Sequence, residues 1–237
     1  MLALLSMGSV FAQDFTVPDA RVVTARKGVL QVKLTSETTY RDLQFDLQLP
    51  EGISLVNAAA TPESPDVTNV KVGAEGHVIA YNAVEGGKVR FAIYDPTDGK
   101  TFTKDVLIEI PVQASEEFTE DAIAHVTDMV ASSNDDAATS NTISAFDFKI
   151  ILNLLGDVDE NGAVEVTDVL LTADVVLNEG VAPANFKNRG AGDIELNDVI
   201  NVTDVLGIAD IILSGSNSAK EMMEDVEPSF VDTLDPQ

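Results

Sequence analysis

Oxygen-bearing side chains recur at set intervals in residues 156–168, GDVDENGAVEVTD. Counted from Asp157 as position 1, Asp159 stands at 3, Asn161 at 5, Glu165 at 9 and Asp168 at 12, with Gly162 at 6 and Ala163 at 7. This spacing suits a hard cation. Calcium takes about six to eight oxygens, and a tight loop turns alternate side chains toward one centre while position 7 offers its carbonyl. Glycine at position 6 takes the sharp turn with positive φ. Position 12 falls in the first turn of the helix that follows, so its carboxylate arrives from a fixed direction. Two features separate the loop from an EF-hand: Asp168 replaces the bidentate Glu, and FDFKIILNLL ahead of it supplies no evident entering helix. Without a metal, the same residues would read as an acidic turn and helix N-cap.

The stretch is duplicated. Val166-Thr167-Asp168-Val169-Leu170 recurs 36 residues later as Val202-Thr203-Asp204-Val205-Leu206, and Ala173-Asp174 as Ala209-Asp210. The second loop places Asp193 at 1, Glu195 at 3, Asn197 at 5, Asp198 at 6, Val199 at 7, Asn201 at 9 and Asp204 at 12. Glu195 is longer than the usual Asp or Asn, and Asp198 replaces the glycine, although Asp tolerates the left-handed region better than most residues. The expectation is two calcium ions, the second held more weakly. Two loops in register favour the metal over the cap reading. Asn201-Val202-Thr203 also matches a glycosylation acceptor, but the repeat already accounts for it. Residues 156–213 carry twelve acidic and two basic side chains, a net charge of -10. Metal-free, the segment is expected to fray, and calcium to help it fold. In each copy Val166, Val169, Leu170, Ala173, Val176 and Leu177, or their partners 36 on, form one apolar helical stripe, and two such stripes are expected to bury each other.

These residues resemble a dockerin: LGDVDENGAVEVTDVLLTADVVLN is similar to that family's calcium loop with Asp at 12 and its following helix, and AGDIELNDVINVTDVLGIADIIL to the duplicate. The resemblance implies that Asp157, Asp159, Asn161, Asp168 and the Ala163 carbonyl hold the first calcium, with Glu165 acting directly or through water. It likewise implies Asp193, Glu195, Asn197, Asp204 and the Val199 carbonyl for the second, Asn201 taking the place of Glu165. Dockerins bind cohesin domains through their helices. The implied recognition positions are Val166, Thr167, Ala173 and Asp174, then Val202, Thr203, Ala209 and Asp210; their identity in the two halves implies binding in either of two orientations. Leu171 against Gly207 and Thr172 against Ile208 break the symmetry. The implied partner is a cohesin-like domain on another protein or the chain's own sandwich.

That sandwich is read from the preceding sequence. Leu30, Val32 and Leu34 alternate with polar residues, with Val29 on the opposite face, and Leu43, Phe45, Leu47 and Leu49 alternate through DLQFDLQLP. VTNVKV, HVIAYNA, KVRFAIYD, DVLIEIPVQ and AIAHVTDMV follow, separated by AEG, VEGG, DPTDG and SSNDD, and TISAFDFKIIL reads as a last strand. Eight or nine short strands predict an antiparallel sandwich, with a barrel as the alternative. DLQFDLQLPEGISLV resembles the strand and turn of cohesin-type and carbohydrate-module-like domains. The expected architecture is therefore a mainly β sandwich, cohesin-like or jelly-roll-like, at 13–153, a small all-α dockerin-like domain at 154–213, and an acidic disordered tail at 214–237.

Composition narrows the function. A formal net charge of -26 over 237 residues argues against nucleic acid, whose phosphates need clustered Lys and Arg. There is no cysteine, which removes disulfides, thiol catalysis and thiolate zinc sites. MLALLSMGSVFA at 1–12, with Val10 and Ala12 before a cleavage point, reads as a signal peptide lacking its basic region, and no segment is long and apolar enough to span a membrane. The protein is expected to be secreted or at the cell surface. DGKTF lacks the glycine of a phosphate loop, and His77 and His125 make no legible triad, so no enzyme is expected. The alternative is a carbohydrate-binding or adhesion protein in which the dockerin-like module is a structural partner of the sandwich. Sugar binding needs aromatic platforms; with no Trp, only Tyr40, Tyr81 and Tyr94 with Phe91 are available, and core or edge packing is the expected use of these.

Overall fold

A computed structural model of the chain describes residues 14–56, 70–97, 99–105, 107–133 and 140–215. The leader at 1–12 and the tail from 216 onward lie outside them, as do Val67, Thr68 and Asn69 of VTNVKV. The described residues form twelve strands and three helices. They divide into two compact units: Lys27–Ile151 with the residues up to Ala20, and Arg21–Arg26 with the residues from Leu152. Arg21–Arg26, inside the span read as sandwich, thus packs with the second unit.

The first unit is built on two antiparallel sheets. One orders β1 (Phe15–Thr16), β3 (Lys27–Leu34), β9 (Leu107–Ala114) and β5 (Ile53–Leu55), with β6 (Lys71–Val72) also on β9. The other orders β2 (Ala20–Val22), β12 (Phe146–Leu152), β10 (Ala122–Ser133), β4 (Tyr40–Gln48), β8 (Lys88–Tyr94) and β7 (Val78–Val84), with β11 (Ser140–Ile143) also on β10. TISAFDFKIIL is therefore two strands, not one. The expected alternation appears as burial: Leu30, Val32 and Leu34 of one sheet and Leu43, Phe45 and Leu47 of the other are buried, while Val29 is exposed. The faces meet where Phe15 of β1 packs on Tyr40 of β4, ring centroids 5.3 Å apart. This is a sandwich, not a barrel. The Tyr40 hydroxyl also donates to Asp14, and burial together with that carboxylate pushes it up to about 12.

Asp46 breaks the alternation of β4: it is buried although it faces away from Phe45 and Leu47. Its register partner Arg90 on β8 explains this, donating Nε to Oδ1 at 2.6 Å and Nη2 to Oδ2 at 2.8 Å. The Arg90 hydrogen bonds hold the Asp46 carboxyl below the usual carboxylate range. Because the folded pKa is depressed, this stabilisation is present above the unfolded pKa and lost as pH falls through the folded one. Arg90→Ala is expected to cost about 1–3 kcal/mol at neutral pH by leaving a buried acceptor unpaired. Chemical denaturation at neutral and acidic pH checks this, and the gap between variant and parent should narrow in acid.

The loop after β8 explains why DGKTF is not a phosphate site. Its amides already face an anion. Asp95 is buried and accepts from the Thr97, Gly99 and Lys100 N–H groups at 2.9, 2.8 and 2.7 Å. The backbone donors, that of Thr97 first, hold its carboxyl well below the usual range. His77 stacks on Phe102 with centroids 4.2 Å apart. His125 pairs with Asp147 across β10 and β12 at 2.7 Å on exposed strand positions, and among the described residues no hydroxyl hydrogen-bonds to it. Tyr40, Tyr81 and Phe91 are core residues, leaving only the Tyr94 ring exposed.

Candidate metal centre

The second unit carries both acidic loops. A helix, α1 (Val166–Leu177), follows the first; α2 (Arg189–Gly192) precedes the second, and α3 (Val202–Ser214) follows it. No helix enters the first loop, which follows β12 after a short turn. Glu165 and Asn201 are the N-caps of α1 and α3, and Asp168 and Asp204 stand at the third helical position of each, completing capping boxes. The position-12 carboxylates are therefore held on rigid first turns.

Each of these aspartates ties its loop together. Asp168 Oδ1 accepts from the N–H groups of Val158 and Asp159 at 2.9 and 3.4 Å, and Oδ2 from that of Glu165 at 2.9 Å. Asp204 repeats this with Ile194, Glu195 and Asn201 at 2.8, 3.3 and 2.8 Å. Asp157 accepts from Asn161 and Gly162, and Asp193 from Asn197 and Asp198. Asn161 caps Ala163 N–H as Asn197 caps Val199 N–H. The backbone repeats as well: positions 4 and 6 are left-handed in both loops, at Glu160 and Gly162 (φ 61 and 88) and at Leu196 and Asp198 (φ 59 and 63). Asp198 does adopt the conformation its glycine counterpart takes.

The loops differ in how their acids converge. Asp157, Asp159 and Asp168 each bring one carboxylate oxygen within 4.8 Å of the others, and this is the one such trio among the described residues. Asp157 and Asp168 are buried. Burial first, then neighbouring carboxylates, pushes both acids above their ordinary range against the pull of the backbone donors. Converging carboxylate oxygens, two of the three acids buried, fit a hard divalent cation, which would relieve that repulsion. Asn161 and Glu165 stand beside the trio, Asn161 Nδ2 donating to Asp159 and to Glu165. In the second loop Glu195 is exposed and accepts from Asn197 and Asn201.

The expectation that the two apolar stripes bury each other is overturned in part. The helices do pack together. The inward residues, however, are Asp168, Thr172 and Val175 on α1 and Asp204, Ile208 and Ile211 on α3, offset by 36. Val166, Leu170 and Leu177 remain 64, 61 and 78 % exposed, and Val202, Leu206 and Leu213 are 60, 59 and 84 % exposed. Thr172 reaches the interior because its hydroxyl donates to the Asp168 carbonyl at 2.8 Å. Gly207 is where Leu171 has no counterpart, because a Cβ there would lie 2.8 Å from Ile194 Cγ2.

Sequence reasoning missed the part of this unit that comes from the N-terminal side. Val23 is buried with Val158, Val175, Phe186, Ala191, Ile200 and Ile208. Asn188 Nδ2 donates to the Arg21 carbonyl at 3.0 Å, and Asn153 N–H to that of Val22 at 2.9 Å. The signal was weak: ARVVT reads like any short strand.

No protein-family model and no curated protein sequence matches the chain. Among solved structures it is similar to a cohesin module from a family 33 glycoside hydrolase of Clostridium perfringens, at 12% identity over 60% of this chain and 96% of that one, with a TM-score of 0.45. A non-cellulosomal cohesin of the archaeon Archaeoglobus fulgidus matches at 12% identity over 58% and 91%, TM-score 0.41. A type II cohesin domain from the cellulosome of Acetivibrio cellulolyticus matches at 9% identity over 59% and 94%, TM-score 0.41. With TM-scores below 0.5 these likenesses add nothing to the strand pairing, on which the sandwich rests. Among the described residues no helix is long and apolar enough to cross a membrane.

Proposed function

We propose that this is a non-catalytic extracellular protein, secreted or at the cell surface. Its C-terminal unit is a calcium-organised, dockerin-like docking module. Calcium held by Asp157, Asp159, Asn161, Glu165, Asp168 and the Ala163 carbonyl fixes the start of α1; the second loop, ahead of α3, is the weaker site. The helices then present a protein-binding surface to a cohesin-like partner, which is another protein's domain or the sandwich of this chain.

The observation that carries the docking reading is the paired stripe. Val166, Leu170 and Leu177 are exposed on α1, and the residues 36 later are exposed on α3. Six large aliphatic side chains in the open, repeated by symmetry, suit a partner better than solvent. The symmetry yields a quantitative test. If either helix can engage, Leu170→Asp alone or Leu206→Asp alone removes one of two equivalent orientations, and affinity falls by only about twofold. The double variant loses binding by about a hundredfold or more, as loss of central apolar anchors does. Surface plasmon resonance against cohesin modules and against the isolated sandwich, with and without calcium, measures this, with melting temperature as the folding control. A double variant that binds like the parent would sink the docking reading.

A further inference from the structure

The repeat creates two like positions that the chain satisfies differently. In the first loop the carbonyl at position 2, of Val158, accepts from the backbone N–H groups of Lys187 and Asn188 at 2.8 and 3.0 Å. In the second loop the equivalent carbonyl, of Ile194, accepts from Arg26 Nη2 at 3.0 Å. The residues 36 beyond Lys187 and Asn188 lie outside the described residues. Arg26 comes instead from the segment Arg21–Arg26, turned in by the Arg26 N–H bond to the Val23 carbonyl and by Ala25 at φ 58. Two neutral amides in one half are thus replaced by a guanidinium in the other.

That guanidinium is itself unusual. Arg26 is buried, and among the described residues its Nη1 makes no hydrogen bond. A buried cation with an idle nitrogen is costly unless a nearby negative field offsets it. Asp193 and Asp204, positions 1 and 12 of the second loop, supply it: Asp193 precedes the Ile194 whose carbonyl Arg26 holds, Asp204 accepts from the Ile194 N–H at 2.8 Å, and both oppose the effect of burial on Arg26. The first loop has Lys187, but that side chain is exposed and its Nζ contacts the Asp159 carbonyl at 2.8 Å.

We infer that Arg26 is the built-in cation of the second loop, a positioning residue that keeps residues 193–204 closed without metal and lowers their affinity for calcium. The two loops then divide the work: the first is ordered by calcium, and the second is held by the chain. The affinity half of this inference rests on the calcium reading above; the metal-free half stands apart from it.

Two measurements on the full chain test it. Hydrogen exchange in chelator should show the amides of 193–204 exchanging at least about tenfold more slowly than those of 157–168. Arg26→Met should erase that difference. Calorimetric calcium titration should show the weaker binding step tightening about tenfold in Arg26→Met, with the stronger step unmoved. Arg26→Gln keeps a donor for the Ile194 carbonyl without the charge, and should also tighten the weaker step if Met folds poorly. A merely structural role predicts the opposite sign, since loosening the loop weakens calcium binding. Equal exchange of the two loops in chelated parent protein overturns the inference, as does a weaker step that is unchanged or loosened in both variants. If the parent binds no calcium, the docking module's metal reading fails, and the exchange measurement alone decides the role of Arg26.

Discussion

Calcium in excess is expected to raise the melting temperature of the C-terminal unit by about 10–20 °C over the chelated protein. The estimate follows from mass action. A single site at a hundred times its dissociation constant stabilises by about 2.7 kcal/mol, and a unit of this size shifts by about 4–8 °C per kcal/mol. The physical source is the trio Asp157, Asp159 and Asp168, whose carboxylate oxygens converge within 4.8 Å of one another. Differential scanning calorimetry in calcium and in chelator measures the shift. Asp159→Ala is the informative variant. Asp168 is buried and receives three backbone N–H groups, so its removal damages the fold with or without metal. Asp159 is half-buried and, among the described residues, its carboxylate accepts only from Asn161, so its loss should cancel most of the first site's calcium shift while moving the chelated melting temperature little. Identical melting of the parent in calcium and chelator would remove the metal from this account.

Much of this site was legible because its chemistry is local. Twelve consecutive residues hold the donors, and one offset relates the two copies, so spacing alone places Asp168 and Asp204 in the first turns of their helices. The long strands were legible for a similar reason: β3 alternates along its length, and β4 buries Leu43, Phe45 and Leu47 in turn. What was not legible is what partners decide. Asp46 looks like an outward residue until Arg90 is placed opposite it. Leu170 and Thr172 differ in the wrong sense for burial, because hydropathy does not know that the Thr172 hydroxyl has a carbonyl to bond or that Leu170 falls on an exposed face of α1. Strands of two or three residues, such as β1, β2, β5 and β6, are too short to carry a period at all. β2 is the consequential case, since its last residues and the turn after it serve the other unit.

That segment supplies the second large effect. Val23→Asp in the full chain is expected to abolish cooperative folding of the C-terminal unit, while the sandwich still melts. Val23 is 1 % exposed among apolar side chains, and a carboxylate there has no partner. Val23→Ala should cost about 2 kcal/mol, the transfer value of the lost methyl groups plus an unfilled space. A chain beginning at Leu152 should behave like Val23→Asp, because it lacks the apolar plug and three further contacts: the Arg26 bond to Ile194, the Asn188 bond to Arg21 and the Asn153 bond to Val22. A peptide covering residues 20–27, added in trans, should restore part of the lost transition. Far-UV circular dichroism follows the helices in each case. A C-terminal unit that melts alone at the temperature it shows in the full chain would mean that Arg21–Arg26 decorates a self-sufficient module. The expected loss means instead that the calcium module is completed by a piece of chain more than 120 residues upstream, so neither half of the protein can be cut free at the sequence boundary without harming the docking surface.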